Sequence, residues 1–206
     1  MRRNTRFAKK NRTRKSPPVA KTLRTDNTAP EPKADMTDLS PDCARCDALC
    51  CVLLAFDASA AFVHDKPACA PCRHLAQDNH CRIHADLAAQ GFRGCVAFDC
   101  HGAGQRITGQ VFKGRSWRDD ASLMPAMADA FRTLRQIHEA AGLLQQAATL
   151  PLSPAQEASR QTLLRDLDLN RDWTEAGLDQ AAASPQLRAV PAFFRALRDT
   201  VTPPHR

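Results

Sequence analysis

All nine cysteines of this chain fall between Cys43 and Cys100: Cys43, Cys46, Cys50, Cys51, Cys69, Cys72, Cys81, Cys95 and Cys100. A chain of 206 residues that confines its thiols in this way is either building disulfides or collecting soft metal-ligand donors at one place. Arg2 and Arg3 are followed by no apolar run of signal-peptide length, and no segment is apolar enough to span a membrane, so the expected location is the cytoplasm. In that reducing compartment a dense thiol set points to metal or redox chemistry rather than structural disulfides.

The spacing favours metal. Cys43-Ala-Arg-Cys46 and Cys69-Ala-Pro-Cys72 are both Cys-x-x-Cys units, in which the intervening backbone curls around an ion and turns its amides toward the sulfurs. Cys50 and Cys51 are adjacent and diverge in regular structure, so one faces the metal while the other packs or serves a second metal. Cys81, in His80-Cys81-Arg-Ile-His84, and then Cys95 and Cys100 complete the set. The eight expected ligands are Cys43, Cys46, Cys50, Cys51, Cys72, Cys81, Cys95 and Cys100. Cys69 fits a small buried apolar role better, and His84 and His101 rank behind the thiols, beside His74 and His80 as polar neighbours.

Charge divides the chain. Residues 1–40 carry eleven Lys and Arg against Asp26, Glu31, Asp35 and Asp38, which leaves eighteen of each sign in the rest. The net charge of +7 therefore belongs to the N-terminal segment. That segment has Pro17, Pro18, Pro30 and Pro32 and little apolar periodicity, which predicts a disordered tail. Its lysines and arginines, without interleaved aromatics, could contact phosphate over residues 1–25 but would not read sequence.

Beyond the cysteines the pattern turns helical. Leu123, Met127, Phe131, Leu134, Ile137, Ala141, Leu144 and Ala148 recur in threes and fours, predicting one long amphipathic helix over 122–150 with Pro125 in its first turn. Ser153-Pro154-Ala155-Gln156 reads as a capping box opening a second helix to about Leu169. Ser184-Pro185 opens a last helix through Phe193-Phe194 to Val201, with a kink expected at Pro191. Between the thiols and the long helix, Gly102-Ala-Gly104-Gln-Arg-Ile-Thr-Gly109 lacks the third glycine of a dinucleotide fingerprint, and Gln110–Lys113 reads as a short strand. Trp117 is expected to cap the core.

The ordered motifs resemble a known family. Cys-x-x-Cys followed by Cys50-Cys51, then Pro71-Cys72-x-x-Leu75, Cys81-x-Ile83-His84 and a closing Cys95 and Cys100 look like the zinc- or iron-chelating cysteine-cluster proteins of the YkgJ type. Leu49-Cys50-Cys51-Val52, Asp65-Lys66, Gly91-Phe92-Arg93-Gly94-Cys95 and Phe98–Gln105 resemble more closely the cysteine-rich N-terminal module of some bacterial pentapeptide-repeat proteins. The resemblance covers about residues 42–148. It departs from the family in having two then three residues between the first cysteines, and His84 in place of an aromatic residue. Ala85-Asp86-Leu87 is a single match to the repeat unit, with no five-residue periodicity after it.

The expected fold is α-rich: a disordered basic tail over 1–40, an irregular loop-rich, metal-stapled module of small α+β character over 41–118, and a helical hairpin or small bundle over 119–206 packing on that module. The expected cofactor is an iron–sulfur cluster, of the four-iron type, or zinc. The leading function is a cytoplasmic metal-binding protein in a structural or redox- or metal-responsive role. Second is a nucleic-acid-associated protein with residues 1–25 as its phosphate-binding arm, and third a metal- or cluster-dependent enzyme. No catalytic residue is assigned: Asp47, Asp65, Asp99 and His101 qualify by position alone. A protein partner would use the C-terminal helices, around Phe193-Phe194.

Overall fold

A computed structural model describes residues 38–198. The basic arm expected to be disordered, apart from its last three residues, lies outside the described residues, as does Val201 at the end of the expected last helix.

Helix α4, Met124–Gln146, is the axis of the structure. Met127, Phe131, Leu134, Ile137, Ala141 and Leu144 are buried along one stripe, as the spacing of the apolar residues requires. A 3-10 turn precedes α4 at Ala121–Leu123 and another follows at Ala147–Thr149. Pro125 falls in the first turn, where its missing amide has no helical partner to lose.

Three further helices pack on this axis: α5, Pro154–Leu167, α6, Glu175–Ala182, and α7, Pro185–Ala196. Ser153 and Gln156 form a reciprocal capping box at the start of α5, and Ser184 Oγ accepts from the Leu187 amide at the start of α7. Arg160, forked onto Glu157 at 2.6 and 2.7 Å, also donates to the Leu144 carbonyl at 3.0 Å and so ties α5 to the end of α4. Helix α6 has too short an apolar pattern to stand out in the sequence. Its Thr174 cap and fully buried Leu178 place it against α4.

The cysteine-bearing segment carries three short helices, α1, Leu49–Leu53, α2, Arg93–Ala97, and α3, Ala103–Arg106, of which α1 and α3 pack on α4. Leu49, Val52 and Leu53 of α1 and Ala103 of α3 join Phe131, Leu134 and Ile137 in one continuous core. The thiol loops and the C-terminal helices thus share a single hydrophobic interior.

Two expectations are corrected. The stretch Gln110–Lys113 is not a strand, because α3 runs directly into a π-helical turn, Ile107–Val111, that buries Ile107 and Val111. The module is not α+β either. Among the described residues β-structure is limited to isolated antiparallel bridges, Phe56 with Lys66, Ser59 with Phe62 and Leu75 with Cys81. Fixing loops this irregular needs contacts other than a sheet ladder.

Candidate metal centre

The first knuckle is built by local hydrogen bonding. Asp42 caps a 3-10 turn at Cys43–Arg45, and Gln105 of α3 accepts from the Asp42 amide at 3.2 Å and donates to the Ser40 carbonyl at 2.9 Å. Ala48 then takes a left-handed conformation, φ 55°, at the start of α1. A non-glycine residue held there is strained and needs surrounding structure to keep it. Its consequence is that the amides of Ala48 and Leu49 are directed at the Cys46 sulfur, as a thiolate-binding turn requires.

Asp47 fastens this knuckle to two other loops. Its amide donates to Thr108 Oγ1 at 3.0 Å, its carbonyl accepts from Trp117 Nε1 at 2.8 Å, and its carboxylate accepts from Asn79 Nδ2 at 3.2 Å. Arg118 donates to Asn79 Oδ1 at 2.7 Å and to the Ala76 carbonyl at 2.9 Å. Trp117 is buried, as expected, and its indole nitrogen is an anchor as well.

The second half of the site hangs from α1. The Cys72 amide donates to the Cys51 carbonyl at 2.9 Å, and Cys81 pairs with Leu75 through the isolated bridge. The Ile83 amide is directed at the Cys81 sulfur. Phe92 lies edge-on to His64 and His74, with ring centroids 5.2 and 5.1 Å away, and its carbonyl accepts from the Cys95 amide at 3.0 Å.

Lys66 was not singled out as a site residue, and it is the most informative side chain here. It is only 5% exposed. Its ammonium donates to the carbonyls of Val52 at 2.9 Å, Leu54 and Pro67 at 3.2 Å, so each of its three hydrogens has an acceptor. Burial pushes its pKa down, while the neighbouring thiols Cys72, Cys51, Cys69 and Cys50 push it up. A fixed cation therefore sits among four cysteines with no carboxylate among its hydrogen-bond acceptors, an electrostatic setting that favours anionic sulfur.

The cysteines are free, none being in a disulfide. Cys50 Sγ and Cys51 Sγ are 4.0 Å apart. The hydrogen bond between them divides the pair: Cys50 is pushed well above the ordinary thiol range, and Cys51 is drawn down to about 7, with Lys66 adding to the shift. Burial raises Cys43 and Cys81, and takes Cys46 and Cys95 to about 11.

Most of the expected ligands are half-buried, whereas Cys43 and Cys95 are exposed. Cys69 is half-buried in a left-handed conformation, φ 55°. His84 is exposed in a 3-10 turn, and His101, φ 49°, sits in a local turn in which its amide donates to Asp99 Oδ1 at 2.7 Å. Among the described residues no three His, Cys, Asp or Glu side chains are already closed into a ligand set. The thiols are electrostatic neighbours without converging on one point. Their softness, the amides aimed at Cys46 and Cys81, and the buried cation fit a thiolate-bound metal or cluster.

A second anchor escaped the sequence reading because it is built from residues 32 positions apart. Arg106 of α3 donates to His138 Nε2 at 2.8 Å and to the Leu169 carbonyl at 2.7 Å, while His138 Nδ1 donates to the His101 carbonyl at 2.6 Å. Burial lowers the pKa of His138 to about 4, consistent with a neutral ring that accepts on one side and donates on the other. The residue after Cys100 is thereby pinned to α4.

These features define a helix-rich protein whose thiol-bearing loops are anchored onto a common helical core. Among curated proteins, the chain is 40% identical over 116 residues to the uncharacterized protein YybG of Bacillus subtilis (strain 168). The match takes in 56% of this chain and 42% of YybG, so the chain spans less than half the length of that relative. No family model and no solved structure matches. No helix among the described residues is long and apolar enough to cross a membrane.

Proposed function

We propose that this chain is a YkgJ-like, cytoplasmic metal-binding protein that holds an iron–sulfur cluster or zinc through clustered cysteines, in a structural or redox- or metal-responsive role. The observation that carries the reading is Lys66, buried with all three donors used on carbonyls in the midst of Cys50, Cys51, Cys69 and Cys72. A cation at such a place would favour the neighbouring sulfurs as thiolates, beyond its structural role in tying the Val52, Leu54 and Pro67 carbonyls together. Cys43, Cys46, Cys50, Cys51, Cys72, Cys81, Cys95 and Cys100 would hold the metal. When bound, it would supply convergent attraction to loops that have no sheet ladder among the described residues.

The test is metal content after anaerobic purification. Iron with acid-labile sulfide, or zinc, in stoichiometric amount supports the reading, and a metal-free folded protein with untouched thiols rejects it. A second reading, favoured by the ten Lys and Arg that precede Asp26, adds nucleic-acid contact through residues 1–25. It requires binding that weakens steeply with salt and is lost when those residues are removed. Salt-insensitive binding would exclude it.

A further inference from the structure

Consecutive residues of a helix point about 100° apart, yet the sulfurs of Cys50 and Cys51 in α1 meet at 4.0 Å. The expectation that these two thiols diverge is thereby corrected. The backbone that carries them is fixed from both sides. Leu49 and Val52 are fully buried and Leu53 nearly so, which seats α1 on the core. The carbonyl of Ala48, the left-handed residue at the helix start, accepts from the Cys51 and Val52 amides at 2.8 and 3.1 Å. The Cys51 carbonyl accepts from the Cys72 amide at 2.9 Å, and the Lys66 ammonium holds the carbonyls of Val52 and Leu54 just beyond the pair. Both cysteines are half-buried, so their sulfurs stay within reach of a solute.

A pair held in this way suits a bridging atom and not a disulfide. A disulfide draws its sulfurs to about 2.05 Å and joins Cα atoms usually about 4.4–6.8 Å apart, whereas consecutive Cα atoms lie about 3.8 Å apart. Closing one here would pull α1 out of its hydrogen bonds. A single atom bonded to both sulfurs at about 2.3 Å, the length of a zinc–thiolate bond, sets them about 3.8 Å apart at the tetrahedral angle. A small side-chain rotation covers the difference from the observed separation. We propose that Cys50 and Cys51 act together as a dithiol clamp on one thiophilic centre, and that the ligand class it takes is the monosubstituted trivalent arsenical. Such a ligand needs two sulfurs and no third, so the clamp is complete although no three donors are closed into a set among the described residues. On capture, two arsenic–sulfur bonds replace the bonds from arsenic to oxygen. Both thiol protons leave with that oxygen as one water, and no electrons are transferred. The clamp goes beyond the metal-binding reading and does not require it.

The full chain, stripped of metal and kept anaerobic, is titrated with phenylarsine oxide and followed by native mass spectrometry, and the thiols left open are alkylated and mapped. The first equivalent adds one arsenical less one water and shields Cys50 and Cys51 together, with the other seven cysteines open. Cys50→Ser and Cys51→Ser each bind about 10²-fold more weakly or worse, because the second arsenic–sulfur bond is then no longer intramolecular. Cys69→Ser binds as the wild type does. No uptake, a first equivalent that shields any other pair, unchanged affinity in either of the first two variants, or an equal loss in Cys69→Ser overturns the clamp. The mapping on the wild type decides the matter by itself should a variant fail to fold. Failure of the clamp leaves the metal content of the anaerobically purified protein as a separate result, and a chain that takes the arsenical but no metal rejects only the metal-binding reading.

Discussion

Arg106 and His138 meet in the interior at 2.8 Å, and the far side of the same imidazole holds the carbonyl of His101 at 2.6 Å. His138 is fully buried and Arg106 nearly so. Replacing His138 with Ala leaves buried polar groups of both partners short of a hydrogen bond and opens a cavity, so a loss of about 2–4 kcal/mol is expected. Urea denaturation measures it. A change below about 0.5 kcal/mol would mean that the relay contributes little to the fold.

The same histidine gives a pH dependence. Its pKa of about 4 in the folded chain lies below the ordinary value of 6.5, so the unfolded chain binds the extra proton first as pH falls. The stabilisation from its neutral form is complete above about pH 6.5 and is lost progressively as pH falls toward 4, amounting to about 3 kcal/mol if no other group intervenes. Denaturation midpoints of the wild type from pH 7 to 4 should fall more steeply than those of His138→Gln. Parallel profiles would contradict the assignment.

Lys66→Met removes the cation and leaves the carbonyls of Val52, Leu54 and Pro67 without their donor. About 2–4 kcal/mol of stability should be lost in the metal-free protein. Metal affinity should fall as well, by tenfold or more if a charge next to the thiolates is worth about 1.4 kcal/mol. Competition with a chromophoric chelator separates the two effects. Unchanged affinity in a folded variant would remove the electrostatic role of Lys66.

Gly104→Ala tests the packing at the first knuckle. Its new methyl would sit 2.6 Å from Cys46 Sγ, closer than any real contact, so the sulfur or the helix must move. A cost of about 1–3 kcal/mol is expected from overpacking. Gly109→Ala, with nothing near its Cβ position, is the control and should be nearly neutral. Equal thermal shifts for the two would contradict the geometry.

The helical half was legible in the sequence because its signals are local. The period of Met127, Phe131, Leu134 and Ile137 forces one face of α4 inward, and Ser153 with Gln156 closes α5 within a single turn. Helix α6 escaped because eight residues carry too few apolar positions to show a period. Gln110–Lys113 misled for a different reason: Val111-Phe112 suggests a strand when read alone, whereas Ile107 and Val111 are four residues apart, a helical spacing, and are buried by a π-turn that continues directly from α3. Within the site, the thiols were visible as residue types, but their supports were not. Lys66 reaches backbone carbonyls, and Asp47 is held by Thr108, Asn79 and Trp117 from distant parts of the chain. Backbone acceptors leave no mark on a sequence pattern, and pairings across such separations are set by the fold.

Anaerobic purification followed by elemental analysis, sulfide determination and a visible absorption spectrum tests the central claim most directly. Stoichiometric iron with a cluster absorption band, or stoichiometric zinc, with the thiols shielded from alkylation until a chelator is added, is the predicted result. A folded, metal-free protein whose nine thiols alkylate freely, or are paired as disulfides, would contradict it.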